Sequence, residues 1–129
     1  MSKKIRTLIV DDSSVIRTLL TKIISSRPDF EVVGTAADPY IARDKITTLK
    51  PDVMTLDIEM PRMDGITFLK KIMKHFPTRT LIFSSLSPKN SAMALKAFEA
   101  GAIDVMAKPA IDVSYGLGGL TEELTNRLR

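Results

Sequence analysis

Val53-Met54-Thr55-Leu56-Asp57-Ile58-Glu59-Met60-Pro61-Arg62-Met63-Asp64-Gly65 is a short apolar run that ends on a carboxylate, followed by a turn and a helix start. Bounded by polar residues, Val53–Leu56 reads as a strand buried on both faces. Asp64 can cap a helix over Gly65–His75, which Pro77 closes off. The same pairing of a short apolar run with a longer amphipathic stretch recurs on either side. Upstream, Ile5–Val10 precedes residues 13–26, where Val15, Ile16, Leu19, Leu20, Ile23 and Ile24 form one broad stripe at helical spacing. Asp12 or Ser13 can cap that helix. Residues 31–34 then precede Pro39–Leu49, with Asp38 as N-cap and Pro39 at the first helical position. Downstream, residues 80–83 precede a helix over 89–100 that ends at Gly101, a left-handed cap. Residues 103–106 precede a stretch that sets Leu117, Leu120, Leu124 and Leu128 on one face.

Five strands separated by helix-length connections imply parallel pairing through right-handed crossovers. The expected fold is α/β: an open, doubly wound, five-stranded parallel sheet in the order 2-1-3-4-5, with helices on both faces. The chain has 129 residues, 44% hydrophobic and 26% charged, a balance that suits one compact domain. Residues 5–108 form the expected core, and 109–129 a loop and a last helix. There is no cysteine, which removes disulfides and thiolate metal sites. No apolar run approaches the roughly 20 residues of a membrane span, and no signal-peptide pattern opens the chain. A cytoplasmic protein is expected, with no membrane partner. The net charge is +4, but the basic residues are spread over several helices and do not interleave with aromatics. They read as solvated helix faces, and no nucleic-acid partner is expected.

Polar residues interrupt the apolar pattern where strands end. Asp11-Asp12 follow strand 1, Asp57 follows strand 3, Ser84-Ser85 follow strand 4 and Lys108 follows strand 5. Ligands of open α/β sheets bind outside the carboxyl ends of the strands, where the strand order switches. Here that is between strands 1 and 3, so three aspartates converge, with Lys108 and Ser84 on the flank. Clustered carboxylates repel unless protonated or bridged by a cation. Mg²⁺, or Mn²⁺ in its place, answers this, because it binds few carboxylates together with phosphate oxygens. That points to phosphoryl chemistry with a carboxylate nucleophile. Taken singly, each residue has a plainer reading: a helix cap for Asp11-Asp12, a turn aspartate for Asp57, a surface lysine for Lys108. Their common placement on one edge favours the functional reading. His75, the sole histidine, lies at a helix end, and no G-x-S-x-G elbow accompanies it. The seven methionines scatter through core stretches and read as packing.

With Asp11-Asp12, the Leu56-to-Gly65 motif, Ser84 and Lys108-Pro109 in this order, the chain resembles the receiver domain of bacterial two-component response regulators, a flavodoxin-like fold. The resemblance covers nearly the whole chain. It implies that Asp57 accepts a phosphoryl group from a histidine kinase, a phosphotransfer domain or a small acyl phosphate. It implies that Asp12 binds Mg²⁺ directly, Asp11 through water, and Glu59 through its backbone carbonyl. Lys108 and the Ser84 hydroxyl would hold phosphoryl oxygens, and the Lys108–Pro109 bond would be cis. A flavin module is disfavoured because Asp11-Asp12 would repel its phosphate. A haloacid-dehalogenase-type phosphatase would need a second Asp where Glu59 stands.

Glu31-Val32-Val33-Gly34-Thr35-Ala36, Asp38-Pro39-Tyr40-Ile41-Ala42-Arg43-Asp44 and Ser84-Ser85-Leu86 further resemble the regulatory domain of chemotaxis protein-glutamate methylesterase. This implies a C-terminal methylesterase domain, or another effector, as partner. The receiver itself is expected to be no enzyme beyond its own phosphorylation and dephosphorylation. A stand-alone receiver acting through protein–protein contacts is the alternative. One departure stands out. Receivers usually carry Tyr or Phe three residues before the lysine, and here that residue is Val105. Valine has no large rotamer swing, so the expected output is a modest loop shift.

Overall fold

The computed structural model describes residues 3–60, 63–85, 88–108 and 117–129, without the side chains of residues 88–91 and 117–120. Strands and helices alternate: β1 Ile5–Val10, α1 Ser14–Ser25, β2 Phe30–Ala36, α2 Pro39–Leu49, β3 Val53–Leu56, α3 Gly65–His75, β4 Arg79–Ser84, α4 Pro88–Ala100, β5 Asp104–Ala107 and α5 Leu117–Leu128. The strands form one sheet in the order β2-β1-β3-β4-β5, and every neighbouring pair is parallel. The expected fold is thus observed.

Alternation along the inner strands divides the core in two. Leu8, Val10, Met54, Leu56 and Ile82 face one side, where Ala42 and Ile46 of α2, Phe68, Leu69 and Ile72 of α3 and Ala97 of α4 cover them. Ile9, Val53, Leu81 and Phe83 face the other, under Leu20, Ile23 and Ile24 of α1 and Leu124 and Leu128 of α5. Methionines fill gaps in both layers, as read from sequence.

Local signals set the helix ends. Ser13, rather than Asp12, caps α1, its hydroxyl accepting from the Ile16 N–H. Asp38 accepts from the N–H groups of Tyr40 and Ile41 at 2.8 and 2.9 Å, with Pro39 opening α2. Asp64 accepts from the Thr67 N–H at 2.9 Å. Gly101 takes φ +116° after α4, a conformation that suits glycine.

The structure departs from the sequence reading in several places. Only the inner strands are buried on both faces; β2 and β5 are partly exposed, because an edge strand lacks a neighbour on one side. β2 runs further at both ends than 31–34, and its Ala36 carbonyl accepts from the Asp11 N–H. β5 begins at Asp104, one residue later than expected, and Ile103 before it is half-exposed. Val15 leaves the buried stripe of α1 and is 70% exposed in the first turn. Arg17 and Lys45 are not simply solvated. Both are half-buried and donate to backbone carbonyls, of Asp11 and Thr35 respectively. The Lys108–Pro109 bond, the 109–116 loop and the side chains of Leu117 and Leu120 lie outside the described residues. Among the described residues, no helix is long and apolar enough to cross a membrane.

Candidate functional site

Register builds the site. β1 and β3 end level, with Val10 opposite Leu56, and the Asp57 N–H continues the ladder to the Val10 carbonyl at 3.1 Å. Asp11 and Asp57, the next residue on each strand, therefore stand side by side. On the other flank Ser84 pairs with Ala107, and the Lys108 N–H bonds the Ser84 carbonyl at 2.8 Å. The convergence expected from the strand order is thus realised through the register of these pairs.

Asp11 and Asp57 are buried, 1% and 3% exposed, whereas Asp12 is exposed. Carboxylate oxygens of Asp11, Asp12 and Asp57 all lie within 4.8 Å of one another. The Lys108 ammonium lies 2.7 Å from Asp11 Oδ2 and 3.3 Å from Asp57 Oδ2. On its other oxygen, Asp57 Oδ1 accepts from the Ser84 hydroxyl at 3.1 Å and from the Glu59 N–H at 3.3 Å. Asp11 Oδ1 accepts from the Ser13 N–H at 2.9 Å, so one turn orients that carboxylate and opens α1. Val105, half-buried, packs against the core layer under α3. Its carbonyl and the Asp104 carboxylate both face Arg127 of α5, at 3.4 and 2.7 Å.

Two buried carboxylates share one ammonium, and the titration of the groups records the conflict. Burial, and then the charge of Asp11, push Asp57 up to about 6, against the opposing pull of Lys108, Ser84 and Glu59. Burial likewise raises Asp11, despite its hydrogen bond with Lys108. Burial pulls Lys108 down, but the two carboxylates outweigh it and the ammonium is held above its usual range. A hard divalent cation with oxygen ligands suits this donor set, because it would offset carboxylate charge that one lysine cannot balance.

Two contributors were not legible as such in sequence. Arg17, one turn into α1, donates to the Asp11 carbonyl at 2.8 Å and fixes the backbone of the β1–α1 turn. Gly65, read only as a helix start, brings its N–H to the Ile58 carbonyl at 2.7 Å. A Cβ there would lie 2.4 Å from the Asp57 carbonyl oxygen. The only hint of this is a glycine directly after the Asp64 cap.

The family described as response regulator receiver domain matches residues 7–114. A protein-glutamate methylesterase/protein-glutamine glutaminase of Bdellovibrio bacteriovorus is 64% identical over all 129 residues, which cover 36% of that protein. The chain thus spans about a third of the length of this curated relative. The crystal structure of the response regulator domain of Thermotoga maritima CheB superposes with a TM-score of 0.88 at 44% identity, covering 98% of this chain and 95% of that one. CheY6 of R. sphaeroides, solved in complex with the P1 domain of CheA3, gives 0.77 at 35% identity, with 97% of each chain covered. A sheet in the order β2-β1-β3-β4-β5, an acidic cluster at its switch point and these likenesses together place the chain in the response regulator receiver domain family, closely related to the receiver domains of CheB.

Proposed function

We propose that the chain, as a single receiver domain over residues 1–129, accepts a phosphoryl group on Asp57 in a Mg²⁺-dependent reaction. One observation carries the reading: the buried Asp57 carboxylate lies among the Asp11 and Asp12 carboxylates, with the Lys108 ammonium bridging it to Asp11 and the Ser84 hydroxyl donating to its other oxygen. Asp57 attacks phosphorus as its P–N bond to a donor histidine breaks, or as the P–O bond of a small acyl phosphate breaks. The Lys108 ammonium and Ser84 hydroxyl then turn to the phosphoryl oxygens. Asp11, Asp12, Asp57 and the Glu59 carbonyl would hold Mg²⁺, whose charge neutralises carboxylate and phosphoryl oxygens alike. The donor is a histidine kinase or its phosphotransfer domain in the cytoplasm. Supported by the methylesterase relative, the switch acts on a linked methylesterase domain; the receiver supplies no esterase chemistry of its own.

Incubation with acetyl phosphate and Mg²⁺ should add the mass of one phosphoryl group to the intact protein. Chelation or Asp57→Asn should abolish it, and label that persists in either case refutes the reading.

Val105 bears on the output. With no aromatic to swing, the loops that follow β3 and β4 carry the response. Crystal structures with and without a phosphoryl mimic are expected to differ in those loops while α4 keeps its place; displacement of α4 as a body would contradict this.

A further inference from the structure

α2 and α3 cover the same face of the sheet and leave a groove between their outer sides. Two pockets open along it. The one between the N-terminal half of α2 and the middle of α3, about 110 Å³, is lined by Tyr40, Met63, Phe68 and Ile72, with Arg43 and Lys71 also in its wall. The one near the C-termini, about 230 Å³, is lined chiefly by Ile46, Pro51, Phe76 and Pro77, with Lys50 beside them. Phe76 is 45% exposed and Tyr40 36%, so the apolar lining reaches the surface.

The flanks are basic. Arg43, Lys50, Lys70, Lys71 and Lys74 are all exposed. Against them stands Asp44, paired with Arg43 at 3.6 Å between two well-exposed side chains. Such a pair is worth little. Asp38 and Asp64 are committed to capping α2 and α3. Among the described residues, Lys50, Lys70, Lys71 and Lys74 form no ion pair. The caps leave Asp38 and Asp64 charged, yet five basic side chains outnumber these two and Asp44, so the face combines two apolar recesses with an excess of positive charge.

Spacing narrows the occupant. Arg43, in α2, borders one pocket and Lys50, its left-handed C-cap seven residues on, borders the other, so the two recesses follow one another along the groove. Two apolar recesses in line suit the apolar face of an amphipathic helix lying in a groove. The smaller pocket suits one aliphatic side chain, since a cavity of about 150 Å³ accommodates benzene. A purely charged ligand would leave both recesses unfilled, and a flat anionic membrane could not enter them. We propose that the α2–α3 groove docks an acidic amphipathic helix of a partner protein, with two apolar side chains one heptad apart in the pockets and carboxylates facing Arg43, Lys50 and Lys71. This surface is separate from the Asp57 cluster and does not rest on the phosphoacceptor reading.

The probe is a fluorescein-labelled synthetic helix of roughly 20 residues, long enough to hold helical structure. It carries two leucines seven positions apart and glutamates on the flanking positions. Anisotropy should show saturable binding to the whole chain that weakens as salt rises. Exchanging both leucines for glutamine should weaken it at least about ten-fold, and so should Arg43→Glu combined with Lys71→Glu. Both substituted side chains are exposed, and circular dichroism checks that the fold is kept. Amide shifts in NMR should cluster on α2 and α3. Equal affinity for the glutamine peptide would reduce the face to a charged patch and overturn the proposal. So would indifference to the charge reversal, shifts centred elsewhere, tighter binding to phosphatidylserine vesicles than to the peptide, or self-association of the chain through these residues.

Discussion

Gly65→Ala is expected to destabilise the protein by about 2 kcal/mol or more, although alanine is the better helix former. Helix propensity alone predicts the opposite sign, a gain of up to about 1 kcal/mol. The added Cβ would lie 2.4 Å from the Asp57 carbonyl oxygen and 2.8 Å from Ile58 Cα. Carbon contacts are comfortable only near about 3.5–4.0 Å. Both obstacles are backbone, so no side-chain rotation relieves them. The segment after β3 must shift or α3 must start elsewhere, and overpacking of this kind costs typically about 1–3 kcal/mol. The same shift moves the Asp57 carboxylate relative to Asp11 and Asp12, so Mg²⁺ affinity should fall at least about ten-fold. Urea denaturation and a Mg²⁺ titration measure the two effects. An unchanged or higher urea midpoint would show that the contact relaxes freely.

Asp57→Asn is expected to stabilise the protein at pH 7 in the absence of divalent ions, and the gain should fade on acidification. Folding raises the Asp57 pKa from 3.8 to about 6, and a shift of that size corresponds to about 3 kcal/mol. For an acid the sign is unfavourable: the folded state prefers the protonated form. The penalty is complete above about pH 6 and disappears below about pH 4, so wild-type stability from this group rises as pH falls through that window. Asparagine removes the charge and still accepts from Ser84 and Glu59. It forfeits the 3.3 Å contact with Lys108, which keeps Asp11 at 2.7 Å. The net gain should therefore be about 1–3 kcal/mol at pH 7 and close to nil at pH 4. Mg²⁺ should stabilise the wild type and leave the variant nearly unaffected. Denaturation midpoints at the two pH values test this; a loss of stability at pH 7, or a difference indifferent to pH, would contradict it.

Both predictions concern contacts of differing visibility in the sequence. Asp57 was legible because Val53–Leu56 ends directly before it and because Asp11, Ser84 and Lys108 end their own strands. A residue that terminates a strand has its place on the sheet edge set locally, and the strand order then fixes its neighbours. Gly65 was not legible as part of the site, since its demand comes from a carbonyl eight residues earlier across a turn. Arg17 and Lys45 misled for a related reason. Their helical positions suggested solvent, and only packing against the strand ends supplied the carbonyls they bind. Val15 fits the apolar stripe of α1 by periodicity, yet it lies in the first turn and stays exposed.

The sequence by itself determined the succession of strands and helices, most of their caps, and the set of carboxylate, hydroxyl and ammonium groups at the strand ends, because these depend on spacing and on neighbours within a few residues. Only the tertiary structure decided that Lys108 spans Asp11 and Asp57, that Gly65 admits no side chain, that β2 and β5 are half-open edges, and that α2 and α3 leave a basic-rimmed groove. Each of these depends on distances between elements far apart in the chain, and those distances follow from sheet register and helix packing.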